Sequence, residues 1–81
     1  MNYILKIKEL DRHIRRRATG SPKDLAEKMN ISRATLFRLI AFYKKETNAP
    51  VYFDKSINSY CYEYPGTLTI KFIETKSEDI K

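Results

Sequence analysis

Cysteine is nearly absent from this chain. Cys61 stands alone, so no internal disulfide is available, and with one histidine, His13, far from it in sequence, no zinc-ligand spacing exists. Cys61 reads as an inert thiol and His13 as a surface helix residue. Glycine is scarce too. Gly20 and Gly66 are the whole complement, which excludes a glycine-rich phosphate loop. No apolar run approaches the roughly 20 residues that a membrane helix needs. The N-terminal MNYILKIKEL is interrupted by Lys6, Lys8 and Glu9 and lacks the apolar stretch of a signal peptide. These absences favour a reducing, cytoplasmic setting without a membrane. The acidic residues form no pattern that signals acid/base work. No enzyme activity, metal or cofactor is therefore expected. There is no internal repeat and no linker.

What is present is one small domain's worth of chain. Its 81 residues are 42% hydrophobic, with a mean hydropathy of −0.57, which suits one modest core. The charge is uneven. Residues 1–48 carry twelve Lys/Arg against five Asp/Glu, or +7, and residues 49–81 carry four against five, or −1. A basic half suits phosphate, because neutralising phosphates releases condensed counterions.

Periodicity divides the chain into elements. Tyr3, Ile7, Leu10 and Ile14 recur at helical spacing and predict a first helix over residues 2 to about 17, stopped by Thr19-Gly20. Its outer side holds Lys6, Lys8, Glu9, Arg12, Arg15 and Arg16. Ser21, Pro22 and Asp24 form an N-terminal capping signature, so a second helix spans about 22–29. Asn30-Ile31-Ser32 is a tight turn, with Asn30 tolerant of the left-handed region. Ser32 caps a third helix that runs to about Thr47, and Ala49, before Pro50, marks its boundary. The period then becomes two. Val51 and Phe53 alternate with Tyr52 and Asp54, and Tyr60, Tyr62 and Tyr64 alternate with Ser59, Cys61 and Glu63. A loop at residues 55–58 places Phe53 opposite Tyr60 and Val51 opposite Tyr62. These four are expected to pack on Ile7, Leu10, Leu36 and Ile40.

Two capped helices around a short turn, with Ala26 where the backbones approach, predict helix-turn-helix geometry. With Leu36 and Leu39 inward, the third helix shows Arg33, Ala34, Phe37, Arg38 and Ala41. Arginine in a first turn opposes the helix dipole, so helix stability does not explain Arg33. Arg33 and Arg38 are suited to bidentate contacts with guanine O6/N7. Phe37 suits either a thymine methyl or packing against its neighbours. Ser32 and Thr35 suit phosphate, as do Lys23, Lys44, Lys45 and Lys55.

In the segments PKDLAEKMNISRATLFRLI and APVYFDKSINSYCY, residues 3–64 resemble a bacterial winged helix-turn-helix transcriptional regulator. They are similar to the DNA-binding domains of DeoR-type and biotin-repressor-type regulators and to small stand-alone winged-helix proteins. The resemblance implies an α+β fold of three helices followed by a β-hairpin wing. It also implies sequence-specific binding of double-stranded DNA, with Ser32, Arg33, Thr35, Phe37 and Arg38 as recognition-helix contacts and Lys55 at the wing tip. No effector domain follows, so no small-molecule ligand is implied.

Two other classes stay open: a winged-helix protein-interaction module, and an RNA-binding domain that stacks bases on Tyr52, Tyr60, Tyr62 and Tyr64. The domain is expected to end near residue 73, followed by a disordered tail over 74–81. Thr67 to Ile73 alternates again, with Leu68, Ile70 and Phe72 on one face. That reads as an extra C-terminal strand, which either folds back or pairs across a homodimer. A dimer would set two reading helices about 34 Å apart.

Overall fold

The computed structural model describes residues 3–68. The elements in chain order are α1 (Tyr3–Arg15), α2 (Pro22–Lys28), α3 (Arg33–Thr47), β1 (Val51–Asp54) and β2 (Ser59–Tyr62). The fold is α+β: three helices and an antiparallel two-stranded hairpin. Among the described residues no helix is long and apolar enough to cross a membrane.

Each helix buries the face that its spacing dictates. Ile7, Leu10 and Ile14 of α1 meet Leu25 and Ala26 of α2 and Leu36, Leu39, Ile40 and Tyr43 of α3 in one cluster. Met29, Val51 and Tyr60 complete it, and Phe53, Tyr62 and Leu68 pack against its rim. The hairpin pairs Val51 with Tyr62 and Phe53 with Tyr60, as the alternation requires, and β2 docks on α1. The Phe53 and Tyr60 rings meet edge to face, with centroids 5.0 Å apart. At the hairpin's end Asp54 Oδ1 accepts from the backbone N–H of Ser56 at 2.9 Å and from its hydroxyl at 2.6 Å, and Asn58 turns the chain with a φ of 53°. Those bonds to Ser56 also hold the Asp54 carboxyl below its usual range.

The first helix ends two residues earlier than its periodicity suggests. Arg17 takes the left-handed conformation directly after it, with a φ of 56°, three residues before the left-handed Gly20. The reason lies forty residues away. Thr19 is fully buried against the outer edge of β2, where its N–H donates to Ser59 Oγ at 3.0 Å and its own Oγ1 accepts from the N–H of Tyr60 at 2.9 Å. Thr19 thus satisfies strand-edge groups that otherwise lack a partner. The chain has to leave the helix in time to reach them. Lys28 secures the same bend by donating to the carbonyls of Ala18 and Thr19 at 3.0 and 3.2 Å. On the strand face away from the tyrosines, Ser59 and Cys61 are also fully buried.

Gly20 is required by conformation and by space. Its φ is 77°, and a Cβ there would lie 2.7 Å from Asp24 Oδ2. That oxygen accepts from the N–H of Ser21 at 3.1 Å, while Ser21 Oγ accepts from the N–H of Asp24 at 3.2 Å. Gly20→Ala therefore strains a left-handed residue and disrupts the reciprocal cap together. The expected loss is about 2 kcal/mol, or about 10 °C in melting temperature for a domain of this size. An unchanged melt would show that the cap does not depend on this glycine.

A polar chain ties α1, α3 and β2 together. Tyr43 and Tyr62 share a hydroxyl hydrogen bond of 2.6 Å, and Tyr62 donates to Asp11 Oδ1 at 2.5 Å. Asp11 Oδ2 accepts from Arg15 Nε at 3.0 Å, and Arg15 Nη2 continues to the carbonyl of Gly66 at 3.0 Å. Arg15 also lies 5.5 Å over the Tyr62 ring. Burial, then the bonds to Asp11 and Tyr43, holds the Tyr62 phenol far above its ordinary value, and burial raises Tyr43 and Tyr60 as well. The sign of the consequence follows. Above about pH 10 an unfolded chain gives up these protons while the native state keeps them, so stability is full below that pH and falls above it. Urea midpoints should drop above about pH 10, and less steeply in Tyr62→Phe. Equal slopes would show that the network does not hold the Tyr62 proton.

The described backbone after Tyr62 is irregular through Leu68. From residue 69 on, the expected strand over 67–73, its pairing in a homodimer and the tail over 74–81 lie outside the described residues.

Candidate nucleic-acid interface

Ser32 has extended backbone and accepts from the N–H of Thr35 at 3.1 Å, which starts α3 squarely after the turn. Asn30 makes that turn with a φ of 58°, and the N–H of Ile31 reaches the Ala26 carbonyl at 2.9 Å. The start and rotation of α3 are therefore fixed by local bonds. Its buried residues, Leu36, Leu39, Ile40 and Tyr43, fix which face looks outward.

That outward face holds Arg33, Ala34, Phe37, Arg38, Ala41, Lys44 and Lys45, all exposed. Phe37 is 52% exposed and takes no part in the core cluster, so of its two expected roles packing inside the monomer is not the one it fills. Ser32, Thr35 and Arg38 form a chain that the spacing did not reveal. The Ser32 hydroxyl donates to Thr35 Oγ1 at 3.0 Å, and Arg38 Nη2 approaches the same oxygen at 3.5 Å. Arg38 is thereby steered along the helix toward its first turn. The face lacks a compensating acid in its first turn, and Glu46 near the other end is the helix's one carboxylate.

Hydrogen bonding sorts the remaining cations. Lys6 binds Glu9 at 3.4 Å and the Met29 carbonyl at 3.2 Å; Arg15 and Lys28 are occupied as described above. These three hold the fold together. Lys23 on α2 and Lys55 in the hairpin turn are exposed and make no side-chain hydrogen bond or ion pair with the described residues, so both remain available to an anion. His13 has its pKa lowered, first by burial and then, against the opposing Glu9, by Lys28, Arg16 and Arg12. Among the described residues no group of His, Cys, Asp and Glu is placed to hold a metal ion.

The geometry thus gathers Ser32, Arg33, Thr35, Phe37, Arg38 and Lys44 on one helix and leaves Lys23 and Lys55 on separate elements. Sequence reasoning missed Thr19, which ties the bend after α1 to β2, and the Tyr43–Tyr62–Asp11–Arg15 chain, which ties α3 to β2 and α1 from behind. The alternation of tyrosines signalled burial but not hydroxyl pairing. No protein-family model matches the chain, and no curated protein or solved structure matches it either.

Proposed function

We propose that the chain is a winged helix-turn-helix protein that binds double-stranded DNA sequence-specifically and regulates transcription. In this reading α3 enters the major groove and the β1–β2 hairpin is the wing. The observation that carries it is the outward face of α3, where Arg33 and Arg38 flank an exposed Phe37 on a helix whose start and rotation are fixed. An α-helix fits the major groove, and two arginines reach guanine edges there while an aromatic ring meets a thymine methyl.

The other two classes fit less well. A protein-interaction face needs a cluster of apolar or acidic anchors, and this one has a single large apolar residue, Phe37, among Arg33, Arg38, Lys44 and Lys45. Stacking of RNA bases would use Tyr52, Tyr60, Tyr62 and Tyr64, but Tyr60 is buried and Tyr62 is engaged with Tyr43 and Asp11, which leaves Tyr52 and Tyr64 alone exposed among the four.

Selection of sites from random duplex DNA is the direct test, and a recurring short half-site is the expected result. Failure to enrich any sequence would count against the reading. Affinity for the selected duplex should also fall steeply with salt. With Lys23, Lys44, Lys45 and Lys55 on phosphates, the slope of log K against log salt is expected near about −3.6. A slope near zero would point to a protein partner.

A further inference from the structure

We propose that Thr35, and not Ser32, is the hydroxyl that hydrogen-bonds the DNA, that it does so only as a donor, and that Ser32 is a positioning residue that fixes this polarity. The proposal deepens the reading of α3 as the recognition helix and rests on it.

A serine or threonine hydroxyl has one proton to give and two lone pairs to receive with. Ser32 Oγ accepts from the backbone N–H of Thr35 at 3.1 Å and donates its one proton to Thr35 Oγ1 at 3.0 Å. Its proton is spent inside the cap, and none is left for a phosphate. Thr35 Oγ1 is in the opposite position. It receives the Ser32 proton, and the guanidinium of Arg38, which can only donate, approaches it at 3.5 Å. Both neighbours are donors, so the Thr35 lone pairs face them and its own proton turns away.

Among the described residues none accepts that proton. Thr47, at the other end of the same helix, shows the ordinary alternative. Its hydroxyl donates to the Tyr43 carbonyl four residues back, at 2.7 Å. Four residues before Thr35 stands Ile31, in the turn and outside the helix, so Thr35 has no such helical carbonyl to fall back on. Thr35 is half-buried in the first turn of α3, in the same turn as Arg33 and three residues before Arg38. A donor fixed there takes an acceptor as its partner. DNA supplies acceptors as phosphate oxygens and, at base edges, as guanine O6 and N7, thymine O4 and adenine N7. The amino groups of cytosine and adenine need an acceptor and gain nothing from it.

The test uses the full chain and the selected duplex, with binding read by fluorescence anisotropy and folding by thermal melt. Thr35→Val removes the hydroxyl at nearly constant shape and should weaken binding about tenfold. Thr35→Ser restores the hydroxyl and should bind within about twofold of wild type. Ser32→Gly leaves a residue that helix starts tolerate but frees the Thr35 hydroxyl to rotate, so it should weaken binding about threefold. In the Thr35→Val background it should cost nothing more, whereas a merely structural cap would cost the same in both.

Two sets of modified duplexes identify the acceptor. One carries a methylphosphonate at single phosphates, and the other carries base analogues that lack one acceptor at single positions of the half-site. The Thr35→Val penalty should vanish at one position, and the set in which it vanishes names a phosphate or a base edge. A penalty that persists on every modified duplex would overturn the proposal. So would a Thr35→Ser variant as weak as Thr35→Val, which would assign the contact to the methyl group. Equal losses from Ser32→Gly in both backgrounds would refute its positioning role. Wild-type affinity in Thr35→Val, beside lost binding in the Arg33→Ala, Arg38→Ala variant, would overturn the proposal and leave the α3 reading standing. Wild-type protein that selects no duplex would overturn the α3 reading itself.

Discussion

Replacing both Arg33 and Arg38 by alanine should remove sequence-specific binding and leave the fold intact. Each arginine bidentate to a guanine is worth about 1–3 kcal/mol of discrimination. The two side chains share no hydrogen-bond partner, so their effects should be close to additive, about 2–6 kcal/mol or at least about thirtyfold in affinity. Both residues are exposed, and exposed substitutions usually move stability by less than about 0.5 kcal/mol. Arg33 sits in the first turn of α3, where the helix dipole disfavours a cation, so Arg33→Ala alone should raise stability by a few tenths of a kcal/mol. Fluorescence anisotropy with the selected and a scrambled duplex, beside a thermal melt, reads both quantities. Specific binding that survives the double substitution would remove α3 as the reading helix.

Arg38 also shows why part of the candidate site was legible in the sequence and part was not. The period of Leu36, Leu39 and Ile40 fixes the outward residues, so Arg33, Phe37 and Arg38 were found from spacing alone. The Ser21 and Ser32 caps, the Asn30 turn and the Phe53–Tyr60 register follow equally from local rules and are all present. The Arg38–Thr35–Ser32 chain depends on rotamers, which periodicity does not encode. Longer-range features were hidden for a different reason. The early end of α1 is set by Thr19 reaching Ser59 and Tyr60, and the rotation of β2 against α1 by Tyr62 reaching Asp11, fifty-one positions away. Local propensity sees Arg15-Arg16-Arg17 as a good helix ending. Tertiary hydrogen bonding overrides it, because buried strand-edge groups left unpaired cost more than a residue or two of helix.

Leu10→Ala should bring the protein close to unfolding. Leu10 is fully buried on α1, the helix that packs on both β2 and α3, so a cavity there has no access to water and collapses poorly. Such a substitution costs about 2–5 kcal/mol. A domain of this size has about 3–10 kcal/mol to lose. Phe53→Ala is the informative contrast. Its ring is larger, but it lies half-buried at the rim, held by an edge contact with Tyr60, and water can enter the space it leaves. Its cost should stay below the about 3–5 kcal/mol of a fully buried phenylalanine. Urea denaturation of the two variants should therefore rank Leu10→Ala as the more damaging, although it removes fewer atoms. The opposite ranking would mean that the hairpin, not α1, organises the core. The outward faces of α1 and α3 would then no longer be fixed by one shared cluster. That would weaken the placement of the α3 arginines on one outward face.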